Sequence, residues 1–159
     1  MNEIEILQPD DFHHHLRDGD ALQHVVQLAA QQFRSVIVMP NLKPPVRTVA
    51  DATAYRQRIL QHTTSFPDFN PLMTLYLTDQ TQPEDIIAAK ATGFIHAVKY
   101  YPAGATTNSE FGVTSITRVE KVLEVRIVYM LHFTSLTLFP TSFVVSGNGE
   151  CRNVATDSR

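Results

Sequence analysis

Ser35-Val36-Ile37-Val38-Met39-Pro40-Asn41 is the stretch that decides the fold. Its apolar run shows no alternation, and Val36, Ile37 and Val38 are all β-branched. A strand with one wet face would alternate; an unbroken run belongs to a strand covered on both faces, as in a parallel sheet flanked by helices. Pro40, Pro44 and Pro45 then stiffen the loop after it. Upstream, Leu22, Val25, Val26, Ala29 and Phe33 form a stripe at helical period, with Asp20 placed to cap it. Before that helix, residues 5–16 read as a first strand. Downstream, Thr48 and Asp51 form a capping box for a helix over 49–61, and residues 71–78 read as a third strand. Pro83, Glu84 and Asp85 open a further helix that Gly93 stops, and residues 94–101 form strand four. A polar loop over 102–112 leads to a helix over 115–124, aligned on Ile116, Val119 and Leu123, and residues 126–133 are expected as strand five.

Alternation of this kind implies α/β architecture with a parallel sheet and helices outside it. An open doubly wound sheet and an eight-fold barrel both qualify. No glycine-rich phosphate loop comes after the first strand, which disfavours a nucleotide-binding open sheet. Chemistry-bearing residues at the C-terminal ends of strands one, two and four suit a barrel. A complete barrel takes about 250 residues, so a chain of 159 is too short to close one. The expected fold is therefore a partial (β/α)8 TIM barrel of about the first four βα units, with an irregular C-terminal tail.

The tail is set apart by composition. Residues 125–159 contain no lysine and only two acids, Glu150 and Asp157, whereas residues 1–124 carry fourteen acids. Residues 134–143 have no clean helical period, and residues 146–159, beginning Ser146-Gly147-Asn148-Gly149, read as coil. The expected division is residues 1–124 as barrel sequence and 125–159 as a divergent, poorly structured tail. Translation in a shifted frame accounts for such a break better than an atypical terminal segment does.

Net charge is −3, which gives no basic footprint for nucleic acid. There is no run of about 18 apolar residues to span a membrane, and acids stand where a signal peptide needs a basic start. A single cysteine, Cys151, cannot form an internal disulfide. A cytoplasmic, reducing location is expected, with a small molecule rather than nucleic acid or membrane as partner.

Chemistry concentrates in Asp11-Phe12-His13-His14-His15-Leu16-Arg17-Asp18-Gly19-Asp20. In an extended strand His13, His15 and Arg17 point one way and Phe12, His14 and Leu16 the other. Two imidazoles on one face can grip one metal ion; the alternative is a surface histidine run. Arg17 can hold a carboxylate with its guanidinium fork, or pair with Asp18 or Asp20. Asn41, just past the buried strand, could assist with the same anion or serve as a turn residue. Lys99 shares a strand face with Ile95, Ala97 and Tyr101, where an unpaired ammonium is costly. Carboxylation would turn it into a carbamate able to bridge two metals, whereas snorkelling to the rim would leave it ordinary. Thr106 and Thr107 lie in a loop that could offer hydroxyls to a substrate, and His132 closes an apolar run as a strand-tip ligand would.

Four motifs in this order resemble dihydroorotases of the shorter bacterial type, in the amidohydrolase superfamily. They are Phe12-His13-His14-His15-Leu16-Arg17-Asp18-Gly19, Val38-Met39-Pro40-Asn41-Leu42-Lys43-Pro44-Pro45-Val46, Pro71-Leu72-Met73-Thr74-Leu75-Tyr76-Leu77-Thr78 and Lys99-Tyr100-Tyr101-Pro102-Ala103-Gly104-Ala105-Thr106-Thr107-Asn108. The likeness covers residues 3–124 and then fails, apart from an echo at Leu131-His132. It implies a zinc enzyme that interconverts N-carbamoyl-aspartate and dihydroorotate in pyrimidine synthesis, and a homodimer in the intact family member. His13 and His15 would bind one of two zincs, and carboxylated Lys99 would bridge both. His15, Arg17, Asn41, Thr106 and Thr107 would contact substrate, and His132 would stand for a later ligand. The family's other late histidine and its general acid/base Asp have no matching positions, so no catalytic residue is assigned and an impaired enzyme is expected. A hydantoinase- or allantoinase-like cyclic amidase, and an inactive half-barrel that binds metal or another chain, are the alternatives.

Overall fold

The computed structural model describes residues 5–105, 109–128, 132–135, 141–145 and 151–155, with side chains described as far as residue 125. Five strands, β1 (Asp10–His14), β2 (Ser35–Val38), β3 (Asn70–Tyr76), β4 (Ile95–Tyr100) and β5 (His132–Ser135), form one sheet in the order β1-β2-β3-β4-β5. Every neighbouring pair is parallel. Between them run α1 (Leu22–Gln32), α2 (Val49–Gln61), α3 (Pro83–Ala91) and α4 (Glu120–Val128). Sequential order with a helix at every crossover is barrel topology.

β2 is buried along its whole length, as its unbroken apolar run requires. Val36 and Val38 join Leu22, Val26, Tyr55, Ile59, Met73 and Leu75 in the main core between sheet and helices. Ile37, Met39 and Ala97 turn to the opposite face. The capping box at α2 is formed: the Asp51 amide donates to Thr48 Oγ1 at 3.1 Å, and the Thr48 amide donates to Asp51 Oδ2 at 3.0 Å. Pro83 opens α3, and Gly93, with φ 73°, takes the left-handed turn that lets the chain re-enter the sheet.

Four local expectations are corrected. β1 occupies only the middle of residues 5–16: Ile6 and Leu7 are 74% and 93% exposed. Pro9, without an amide hydrogen, precedes the first strand residue, and Arg17 leaves the extended region beyond the last. Strict alternation also fails, because the β1–β2 register shifts between Asp11 and His14; Phe12 is exposed while Leu16 is fully buried. Asp20 does not cap α1 through its side chain; it lies inside a 3-10 turn, Gly19–Ala21, that leads into the helix. The fourth helix starts and ends later than expected, after a 3-10 turn over Ile116–Arg118, so residues 126–128 complete a helix instead of opening strand five. A short apolar, β-branched run carries no periodicity that separates the two states.

α4 crosses the composition break at residue 125. Beyond β5, the described residues form one antiparallel pair, β6 (Thr141–Val145) with β7 (Cys151–Ala155), in a separate sheet. Residues 151–155 are therefore extended and paired where coil was expected. No helix among the described residues is long and apolar enough to cross a membrane.

Candidate functional site

The C-terminal ends of β1, β2 and β4 bring the candidate residues to one end of the sheet. Rings of His13 and His15 lie 5.3 Å apart between centroids, so the two imidazoles share a face despite the irregular register. His14 turns away: its Nδ1 lies 2.7 Å from Asp11 Oδ2, and its ring sits edge-on to Phe33. Both site histidines are held neutral at pH 7. Burial, then the Lys99 charge, lowers His13, with Asp11 opposing. Burial, then the Arg17 guanidinium, pushes His15 down to about 4, with His13 and Lys99 adding to the effect. A neutral imidazole keeps a lone pair for a metal.

Lys99 is fully buried, and its Nζ has no hydrogen-bond partner among the described residues. Burial pushes its amine down to about 8. The Tyr101 ring centroid lies 5.0 Å from Nζ. β2 and β3 intervene between β1 and β4, yet the Lys99 charge reaches both imidazoles. The lysine therefore stays at the buried strand end and does not snorkel to the rim.

Arg17 departs from the sheet with φ 63°. It does not pair with Asp18 or Asp20, because Arg58 takes Asp18 through two bonds of 3.0 and 2.7 Å, and no ion pair engages Arg17 among the described residues. Its charge is, after burial, the next cause that lowers His15. Asn41 is buried, and its Oδ1 also lacks a partner among the described residues, which is more than a turn residue needs. The Met39 amide donates to the His14 carbonyl at 2.9 Å, tying Asn41's loop to the histidine strand.

Thr106 and Thr107 lie outside the described residues. The stem of their loop is well tied: the Val113 amide donates to the Tyr101 carbonyl at 2.8 Å and the Ala103 amide to the Val113 carbonyl at 2.9 Å. Gly112 permits this closeness, since a Cβ there would collide with the Tyr101 carbonyl oxygen. Asp79 clamps the far side, accepting from the Thr114 amide at 2.9 Å and its hydroxyl at 2.6 Å. A small cleft beside the stem is lined by Arg47, Thr78, Asp79 and Glu110 and does not include the histidines. His132 begins β5 in register with Ala97, two residues before the position opposite Lys99.

Sequence reasoning passed over Tyr76 and Tyr55. Tyr76 pairs in register with Lys99 and packs its ring 5.7 Å from Tyr101. Burial, then Tyr101 and Glu110, pushes its phenol up to about 12. Alternation along Leu72, Thr74, Tyr76 and Thr78 was the available signal. Tyr55, on α2, donates its hydroxyl to the Arg17 carbonyl; nothing in the local pattern pointed to it.

As a metal centre the donor set is partial. Two neutral imidazoles on one face keep lone pairs for a cation, and the buried Lys99 amine has no hydrogen-bond partner among the described residues. No cluster of three or more His, Cys, Asp or Glu side chains gathers among the described residues.

No protein-family model matches the chain. It is 63% identical over 123 residues to a dihydroorotase of Synechocystis, a stretch that covers 77% of this chain and 36% of that protein. The solved dihydroorotase of Campylobacter jejuni superposes with a TM-score of 0.74 at 36% identity, covering 80% of this chain and 37% of that one. Dihydroorotase of Saccharomyces cerevisiae, solved in complex with 5-fluoroorotic acid, gives 0.74 at 26% identity, covering 90% and 39%. Over about its first three quarters the chain is thus similar to dihydroorotases in sequence and fold, and it spans about a third of the length of the curated relatives it matches.

Proposed function

We propose that this chain carries the first part of a zinc-dependent dihydroorotase site, acting on the small molecules N-carbamoyl-aspartate and dihydroorotate in cytoplasmic pyrimidine synthesis. The observation that carries the reading is that His13 and His15, 5.3 Å apart, share the strand-end region with the buried amine of Lys99, which has no hydrogen-bond partner among the described residues. His13 and His15 would hold one zinc, and Lys99, carboxylated, would reach both ions; His132, at the start of β5, would serve the second. Bound there, zinc would polarise the ring amide carbonyl and make water a stronger nucleophile at neutral pH.

The chain's own residues then have separate tasks. Arg17 grips the substrate carboxylate with its fork, and the Asn41 amide, already desolvated, adds a second contact. Orientation by these two sets the ring amide against the metal ligands. Thr106 and Thr107, on the tied loop, close over the substrate and exclude water. Residues 1–124 are the barrel sequence proper, and the divergent residues 125–159 still supply the end of α4 and strand β5 to its sheet; they offer no match for the general acid/base Asp, so binding should exceed turnover. The intact family member would pair as a homodimer.

The length comparison favours one further reading: a half-barrel that binds metal, or associates with another chain, without turnover. Similarity to dihydroorotases speaks against a hydantoinase- or allantoinase-like substrate. Zinc analysis and dihydroorotate turnover of the purified chain decide the matter. We expect sub-stoichiometric second-site zinc, loss of the first zinc in His13→Ala and Lys99→Ala, and negligible turnover. Failure to bind zinc would overturn the metal reading; full zinc-dependent turnover would overturn the claim of impairment.

A further inference from the structure

We infer that Tyr55 is a positioning residue for the anion clamp: its hydroxyl holds the Arg17 backbone in a left-handed turn that sets the direction in which the guanidinium leaves the histidine strand. This rests on the reading of Arg17 as the carboxylate-binding residue. Among the described residues Arg17 is the non-glycine residue with positive φ, at 63°. L side chains avoid that region, and glycine would occupy it without strain. An arginine standing there means that the guanidinium is wanted at that spot and that its surroundings enforce the conformation.

Those surroundings come from α2. The buried Tyr55 donates its hydroxyl to the Arg17 carbonyl. Arg58, one turn further along the same face, takes Asp18 bidentately and lays its guanidinium over the Tyr55 ring, 5.4 Å from the centroid. Leu16, on the other side of Arg17, is fully buried. The turn is thus fixed at three consecutive residues, while the Arg17 side chain stays exposed and free of ion pairs among the described residues. A carbonyl at an exposed strand end could be satisfied by water. A buried tyrosine in its place fixes the peptide plane, and with it the direction in which the side chain leaves.

The test compares Tyr55→Phe with Ile59→Val, a core change on the same helix, in the zinc-loaded full chain. NMR reads the Arg17 backbone conformation, and titration with dihydroorotate reads affinity. In Tyr55→Phe, Arg17 is expected to leave the left-handed region and affinity to fall about tenfold. Ile59→Val, which also lowers stability, should move neither. An Arg17 backbone unchanged in Tyr55→Phe, or shifted as much by Ile59→Val, would overturn the inference, and that readout stands even if the chain binds no dihydroorotate. Arg17→Ala separates the two claims: unchanged affinity there removes the clamp reading, while the backbone result still decides the role of Tyr55.

Discussion

Replacing Lys99 with methionine should stabilise the metal-free protein, and by an amount that depends on pH. The amine is fully buried without a hydrogen-bond partner among the described residues, and burial pulls it from 10.5 down to about 8. In the unfolded chain it titrates near its ordinary value, so between pH 8 and 10.5 the unfolded state binds more protons and stability rises with pH. Below pH 8 both states are charged and the folded state carries the whole penalty. At about 1.4 kcal/mol per pH unit of separation the penalty is about 3 kcal/mol at about pH 7, falling to about 1 kcal/mol at about pH 9.5. Contact with the Tyr101 ring, worth about 1 kcal/mol, offsets part of it. Lys99→Met should therefore gain about 2 kcal/mol at about pH 7 in urea denaturation with chelator present, and less than half of that at about pH 9.5. A variant no more stable than the parent at neutral pH, or an advantage that does not shrink as pH rises, would refute the claim that Lys99 is a desolvated, unpaired cation.

Other perturbations probe separate parts of the argument. Thr48→Ala removes the α2 cap and should cost about 1 kcal/mol, read as a shift of the denaturation midpoint at unchanged slope. Gly112→Ala forces a methyl against the Tyr101 carbonyl; we expect about 1–3 kcal/mol of destabilisation and faster proteolytic cleavage within residues 102–113, and wild-type resistance would contradict the tight stem. Arg58→Ala breaks a half-exposed pair with Asp18, so thermal melts should register less than about 1 kcal/mol. His15, lowered from 6.5 to about 4, should make the metal-free fold less stable as pH falls through that window, and His15→Asn should flatten that part of the pH–stability curve.

Much of the sheet was legible because each element announced itself through one dominant signal. The unbroken run at Val36–Val38 demanded double-sided burial, Thr48 with Asp51 and Pro83 with Gly93 marked helix ends, and each lies where the pattern put it. Errors fall where two signals compete. Residues 126–128 are β-branched and apolar in part, and the helix that begins at Glu120 absorbs them. Residues 5–9 are apolar in part yet precede the first strand: Ile6 and Leu7 are exposed, and Pro9, which has no amide hydrogen to donate to the ladder, stands just before its first residue. At the site, His13, His15 and Lys99 could be named from strand periodicity. Tyr55 could not, since its contact with Arg17 spans 38 residues and exists only after α2 has packed on the sheet.

Stability and chemistry are divided between the two sides of that sheet. The main core joins the helices to one face through residues such as Val26, Tyr55, Ile59 and Met73. Groups that weaken the metal-free fold gather at the strand ends instead: the Lys99 amine, the Asn41 oxygen and the depressed His15. Each is an interaction withheld from folding: the Lys99 amine and the Asn41 oxygen lack a hydrogen-bond partner among the described residues, and the neutral His15 ring keeps a lone pair for a cation. Binding energy gained there adds directly to folding energy, because the unfolded chain has no such arrangement. Zinc should accordingly raise the denaturation midpoint of the parent chain and leave Lys99→Met, already relieved of its buried charge, nearly unchanged. The variant that is more stable without metal would then be the less stable one at saturating zinc. That reversal of order is what a site assembled at the expense of the fold requires; a lysine that merely packs would keep the same order in both conditions.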